Sequence, residues 1–281
     1  MFLNKYRAQF EERLPTALIR MGEKNRLRDA CEYALLSGGK RVRPLIVLMT
    51  ADALSNGMDV FPAALGVEFF HTASLIADDL PCMDNDDWRR GRPSLHKEFG
   101  ENIAILASYV LIAEGYGSIH ASAEAMRLDP RFVGSADQRG LFCLQAASAC
   151  GGIRGAANGQ FLDLYPPDSG LKTLEKVVAQ KTSTLFEIAF LFGWIFGGGP
   201  LSEAPRLREC ASHLGMMFQI ADDLADDTQD ARRCCEANVA RVLGEKEAIA
   251  LLEKEKDSFQ KILKGLGLWT APFQELFTFL T

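Results

Sequence analysis

The sequence predicts an all-α fold: one domain over residues 1–281, with about ten helices around a central cavity. Three observations predict it. Apolar residues recur at helical spacing through most of the chain, and strand-type alternation is nearly absent. Turn residues punctuate the periodic runs at Gly38-Gly39, Asn56-Gly57, Pro81, Gly91 to Pro93, Asp129-Pro130, Pro166-Pro167, Gly197 to Pro200 and Gly265 to Gly267. No low-complexity linker and no internal repeat of about 20–50 residues divides the chain. With 48% hydrophobic residues in 281, it has ample material for a large core.

The periodicity places helices in order over 3–20, 25–37, 43–56, 60–80, 101–126, 136–159, 171–182, 183–197, 202–228, 238–256 and 257–279. Gly38-Gly39 closes the second and Asn56-Gly57 the third. The fourth is strongly apolar and Pro81 stops it. Asp129-Pro130 follows the fifth, Pro166-Pro167 separates the sixth from the seventh, and Gly197 to Pro200 ends the eighth. The ninth carries an acidic cluster, and the last two fill a C-terminal stretch without readable chemistry.

A net charge of −6, from 31 basic and 37 acidic residues, argues against a nucleic-acid binder that relies on bulk charge. Seven cysteines (Cys31, Cys82, Cys143, Cys150, Cys210, Cys234, Cys235) are odd in number and lack metal-ligand spacing. The segment Met1 to Arg7 has no signal-type apolar core, so a reducing cytoplasm is expected. No charge-free apolar run of about 18 residues predicts a membrane span. The Phe-rich run Phe186 to Phe196 comes nearest, but it is short and holds Glu187, which suits a core or interface helix.

Two aspartate clusters end apolar helical runs. One is Asp78-Asp79-Leu80-Pro81-Cys82-Met83-Asp84, and the other is Asp222-Asp223-Leu224-Ala225-Asp226. Clustered carboxylates repel and are costly to desolvate, and the C-terminal end of a helix disfavours negative charge further. A hard divalent cation between them, Mg2+ above all, resolves the conflict. A solvated acidic helix end is the alternative for either cluster alone. Asp222 and Asp226 are four apart and share a helix face, whereas Pro81 obliges Asp84 to fold back from a loop toward Asp78.

The basic groups lie close by in sequence. Gly38-Gly39-Lys40-Arg41-Val42-Arg43-Pro44 places bases after a double glycine at a helix start, a pattern suited to an anion or to a plain solvated loop. Arg89 and Arg90 follow the first acids and offer forks for phosphate oxygens, or neutralise Asp84, Asp86 and Asp87. His71 lies two helical turns before Asp78 on the same face. Gln160 and Asp163 are polar groups on an apolar helix, Lys181-Thr182 lies between two helices, and Gln219 shares the Asp222 face.

In this order the segments resemble the trans-isoprenyl diphosphate synthases, farnesyl and geranylgeranyl diphosphate synthases among them. Ser74 to Ser94 resembles the family's first aspartate-rich motif, Phe218 to Asp226 the second, and Gly38 to Pro44 its Gly-Gly-Lys-Arg-x-Arg-Pro. The resemblance covers residues 30 to about 230. It implies the isoprenoid synthase fold with a deep central cavity and a homodimer. It also implies Mg2+-dependent, head-to-tail condensation of an allylic diphosphate with isopentenyl diphosphate. Carried over by position, Lys40, Arg43, His71 and Arg90 would hold isopentenyl diphosphate. Arg89, Lys181, Thr182 and Gln219 would hold the allylic diphosphate. Asp78, Asp84 and Asp222 would ligate three Mg2+ ions, with Asp79, Asp223 and Asp226 as ligands or as partners of ligands.

The chain departs from the pattern twice. After Asp226 the family's lysine-bearing loop is shortened and its lysines are missing, leaving Arg232, Arg233 or Arg241 as substitute cations. Ser183 replaces the glycine that usually follows Lys181-Thr182. Product length follows from the residues before Asp78. Ala73 and Ser74 are small where fifteen-carbon enzymes often carry an aromatic, and Phe70 and Phe69 one turn deeper form a floor. This favours geranylgeranyl diphosphate over farnesyl diphosphate. A terpene cyclase would lack the Lys40/Arg43 segment, and a non-catalytic subunit of a heteromeric synthase would typically lose one aspartate cluster.

Overall fold

The structure is a computed structural model that describes residues 1–225 and 238–280. It is all-α: the strands among the described residues are two of two residues each. By contacts the chain falls into two compact units. The first holds Leu3–Leu144 with Phe192–Gly198, and the second holds Gln145–Leu191 and the chain from Gly199.

The first unit begins with α1 (Phe2–Leu18), continued by a 3-10 turn, and α2 (Arg26–Leu35). Asn25 caps α2 by accepting from the Arg28 N–H at 2.9 Å. α3 (Val42–Ala53) follows the Gly38-Gly39 turn, and α4 (Phe61–Asp78) starts with a proline in its first turn. After α4 come a hairpin of β1 (Trp88–Arg89) and β2 (Arg92–Pro93), short α5 (Leu95–Phe99) and long α6 (Glu101–Arg127). α7 (Ala136–Gly151) begins in this unit. α4 packs on α6, α3 and α2, and small residues permit the approach: a Cβ on Gly66 would lie 2.9 Å from the Cβ of Ser118. α6 is long and apolar enough to cross a membrane by length and composition, a run the sequence reading did not single out. One side of it packs on α4 and α2, while Leu106, Tyr109 and Ile112 on the other are exposed.

The second unit holds α8 (Ala156–Leu164), α9 (Leu171–Val177) with a π-helical continuation over Val178–Thr182, and most of α10 (Ser183–Phe196). α11 (Ala204–Ala225), α12 (Val239–Leu243), α13 (Glu245–Gly265) and α14 (Ala271–Leu280) complete it. Its core is aromatic. Phe190 lies between Phe259 and Phe273 at centroid distances of 6.3 and 6.0 Å, and Phe186 meets Phe218 at 5.7 Å. Phe186, Phe190, Phe259 and Phe273 are fully buried, each worth roughly 2–3 kcal/mol of transfer free energy.

Several element boundaries differ from the sequence reading; the expected 238–256 helix, for one, is broken at Gly244 (φ +86°) into α12 and the start of α13. The expected 136–159 helix is two helices, because the chain turns sharply through Gly151, Gly152 and Gly155. A Cβ on Gly155 would lie 2.0 Å from the Cys150 carbonyl oxygen. The C-terminal break falls at Gly265 to Gly267, where Gly267 has φ +73°, and not between 256 and 257. Arg90 and Gly91, with φ +54° and +75°, form a two-residue type I′ turn between β1 and β2 that helical periodicity could not register.

Candidate active site

α4 carries the first acidic cluster at its C-terminal end. Asp78 is its last residue, and Asp79 caps it. Pro81 prevents continuation, so the chain turns back: Met83 N–H bonds Leu80 O at 2.9 Å, and Asp84 N–H bonds Asp78 O at 2.9 Å. Asp84 is thereby returned to Asp78, as the spacing requires, with Asp84 exposed and Asp78 half-exposed.

Asp79 turns the other way. It is 3% exposed, and both its oxygens accept from Arg89 Nε, at 2.9 and 3.2 Å; Arg89 Nη2 bonds it as well and also reaches Asp86 at 3.2 Å. Burial pushes the Asp79 carboxyl up, and the arginine fork opposes the shift. The type I′ turn sends neighbouring Arg90 elsewhere. Its Nη1 donates to the Gly38 carbonyl, and its guanidinium lies where a Cβ on Gly39 would be, 2.7 Å from Cζ. Gly39 is required twice, for this approach and for its φ of +120°.

Of the three bases after Gly39, the fold diverts one. Arg41 has φ +52°, is 3% exposed, and pairs with fully buried Glu68 and with Glu11 at 2.7 Å. Lys40 is exposed, and Arg43 Nη1 stands 3.3 Å from His71 Nε2. As arginine only donates, His71 Nε2 is the acceptor there and Nδ1 carries the proton, buried without a partner. Burial, then Arg43, Arg90, Arg41 and Arg89, hold the imidazole well below its ordinary pKa, so it is neutral. Arg43, His71 and Arg90 thus converge within the first unit, with Lys40 at its edge.

The same helix carries the residues expected to set product length. Phe70 and Ser74 are half-exposed on the stripe that leads to Asp78, whereas Phe69 and Ala73 are 2% exposed and face the core. The floor of that stripe is therefore Phe70, not Phe69.

In the second unit, Lys181 and Thr182 occupy the π-helical turn, a feature that often marks functional positions. Gly159 lets α8 approach it closely, since a Cβ there would lie 2.3 Å from the Lys181 N. Lys181 Nζ donates to Asp163 Oδ2 at 2.5 Å. On α11, Asp222 is exposed and Asp223 is 7% exposed. Asp223 accepts from Gln219 Nε2 at 2.9 Å and from the Val239 N–H at 2.6 Å. Gln219 thus bonds the second acid of its cluster, although it shares a face with the first. Asp226, Arg232 and Arg233 lie outside the described residues.

The donor atoms of Asp78, Asp84 and Asp222 are of the chemical type that Mg2+ takes. They are all carboxylate oxygens, and among the described residues no three acidic, histidine or cysteine side chains form a closed cage. Mg2+ is typically held by one or two carboxylates, with water and substrate phosphate completing its shell. The sequence reading missed the Glu68–Arg41–Glu11 network and the Gly38 carbonyl that orients Arg90. Glu68 had a signal: it is an acid in the middle of the apolar run from Phe61 to Ala77.

The fold is shared with known proteins. An FPP/GFPP synthase from Zymomonas mobilis superposes with a TM-score of 0.85 at 30% identity, covering 99% of each chain. Geranylgeranyl pyrophosphate synthase 7, chloroplastic, of Arabidopsis thaliana is 35% identical over 254 residues, covering 87% of this chain and 70% of that protein. The heterodimeric geranylgeranyl pyrophosphate synthase large subunit 1, chloroplastic, of the same plant is 33% identical over 269 residues, covering 91% and 70%. Other plant relatives are matched over as little as 56% of their length. Residues 24–236 match the polyprenyl synthetase family, and the chain belongs to that family.

Proposed function

We propose that the protein is a prenyltransferase that condenses allylic diphosphates head-to-tail with isopentenyl diphosphate, releasing pyrophosphate. Its product is geranylgeranyl diphosphate, with farnesyl diphosphate second. The observation that carries the reading is the junction of two groups on α4: the acid pair Asp78/Asp84 at its end, and neutral His71 beside Arg43 two turns before. The acids suit a metal-bound diphosphate, and Lys40, Arg43, His71 and Arg90 suit a diphosphate bound without metal.

Asp78, Asp84 and Asp222 would hold Mg2+, about three ions by family resemblance, which neutralise charge on the diphosphate when bound. Asp79 holds the Arg89 fork, and Asp163 holds Lys181, so both cations are oriented before the allylic diphosphate arrives. The allylic C–O bond breaks with its electron pair leaving on pyrophosphate. The isopentenyl double bond then forms the new C–C bond and a proton is lost. His71 is a poor acceptor for that proton, because arginines depress its basicity, and the released pyrophosphate takes it. Below Ser74 the α4 stripe offers the apolar ring of Phe70 to the growing chain, a surface that does not quench a cation.

The exposed apolar side of α6 supports a homodimer, and the free thiols of the described cysteines support a reducing cytoplasm. A second reading, a non-catalytic or weakly active subunit of a heteromeric synthase, is favoured by the missing lysines after Asp226. Incubation of the pure protein with isopentenyl diphosphate, Mg2+ and five-, ten- or fifteen-carbon allylic diphosphates decides between them. The expected result is pyrophosphate release with a twenty- or fifteen-carbon product. No release with any primer overturns the prenyltransferase reading in favour of the subunit.

A further inference from the structure

We propose that Gly115 and Tyr116 on α6 are positioning residues that seat the ring of Phe70 and thereby set the length of the product. The inference rests on the prenyltransferase reading above and adds residues that touch no diphosphate. Phe70 stands eight residues before Asp78, about 12 Å lower along the axis of α4. Its ring points across to α6, where two neighbours fix it. Tyr116 meets it edge-on, with centroids 5.2 Å apart and planes at 73°. Gly115 lies beneath it: a Cβ there would be 2.6, 2.7 and 2.9 Å from Phe70 Cε1, Cζ and Cδ1.

Gly115 sits inside a 27-residue helix, where glycine is disfavoured by about 1 kcal/mol relative to alanine. Its backbone is helical, so an alanine would strain no backbone dihedral. What the glycine provides is room for the ring. Phe70 is half-exposed while its neighbour Phe69 is 2% exposed, so Phe70 has one open side, the stripe that rises past Ser74 to Asp78. A methyl group on residue 115 drives the ring off α6 toward that side. The floor then rises and a growing chain meets it earlier. Removing the Tyr116 ring has a different effect, since Phe70 loses its lateral wall and occupies more than one position.

The test compares products, released as alcohols and separated by chromatography, for wild type and the variants Gly115→Ala, Tyr116→Ala, Phe70→Ala and Gly115→Ala/Phe70→Ala. Gly115→Ala is expected to shift the main product one five-carbon unit shorter, and Phe70→Ala to lengthen it. The double variant should match Phe70→Ala, because Gly115 acts only through the ring. Tyr116→Ala should spread the product over two lengths. A merely structural role would change melting temperature and total turnover without moving product length. Unchanged length in Gly115→Ala, or a shift that persists in the Phe70→Ala background, overturns the inference. Should Gly115→Ala not fold, a single unaltered product from Tyr116→Ala overturns it equally. A wild-type protein that makes no product with any primer sinks the prenyltransferase reading itself, and this inference with it.

Discussion

The two acidic clusters share one device and secure it with different chemistry. In each, the first acid of the Asp-Asp pair faces outward, Asp78 half-exposed and Asp222 exposed, while the second is buried and bonded inside the fold. Asp79 is held by the Arg89 cation from the hairpin that follows it. Asp223 is held by neutral donors, the Gln219 amide and the Val239 N–H at the start of α12. A carboxylate at a helix C-terminus is electrostatically misplaced, and either a counter-charge or oriented dipoles can hold it. The first solution ties the acid to Arg89, the arginine proposed above to bind phosphate, so charge on Asp79 and placement of Arg89 are coupled. The second ties Asp223 to Val239, at the start of α12.

The largest effect should separate outward from inward acids. Asp78→Asn and Asp222→Asn remove outward carboxylates and are expected to lower kcat by at least about 10²–10³-fold, with little change in melting temperature. Steady-state rates with saturating Mg2+ and both diphosphates measure this. Loss of fold instead of rate would place these acids among the structural ones and erase the distinction.

Next are the inward acids, where stability should fall and the two should differ. Asp79→Asn leaves Arg89 without its main counter-charge. It is expected to cost about 2–3 kcal/mol, less than a fully buried pair because the Arg89 side chain is 35% exposed. Asp223→Asn can keep one acceptor but turns its amide toward a donor, at about 1–2 kcal/mol. Denaturant unfolding gives both values, and a larger loss at Asp223 would reverse the account of which solution depends on charge.

Much of this arrangement was legible in the sequence because it rests on spacing. Pro81 between Asp79 and Asp84 dictates a fold-back, and the backbone bond from Asp84 to Asp78 is its result. The α4 run, its acids and the helical fold follow from periodicity alone. Direction was not legible. Nothing in Lys40-Arg41-Val42-Arg43 says that Arg41 takes a left-handed backbone and turns inward to Glu68, or that Phe70 and not Phe69 stands on the open stripe. These choices depend on partners distant in sequence. The β1–β2 hairpin is too short for any periodicity, and the break at Gly155 depends on a carbonyl contact.

The basic group of the first unit includes a buried histidine, and its pH dependence sharpens the contrast. His71 has a folded pKa below its unfolded value, so the unfolded chain takes up the proton first and stability is lost as pH falls below about 6.5. The loss is at most about 1.4 kcal/mol per pH unit for one group. His71→Asn should flatten that part of the stability profile between pH 7 and 5.5, as read from denaturant midpoints. An unaltered slope would mean that other groups carry it.

The smallest effect belongs to the second unit. The Ser183 hydroxyl, next to Lys181-Thr182, is buried without a partner and sits against α11, where a Cβ on Gly215 would lie 2.0 Å from it. Gly215 precedes Asp222 by seven residues on the same helix. A buried hydroxyl that bonds nothing costs stability. Ser183→Ala is therefore expected to raise stability by up to about 1 kcal/mol with kcat unchanged. A loss of stability on unfolding would show that the hydroxyl bonds something after all, and that the serine at this position does more for α11 than occupy the space Gly215 leaves.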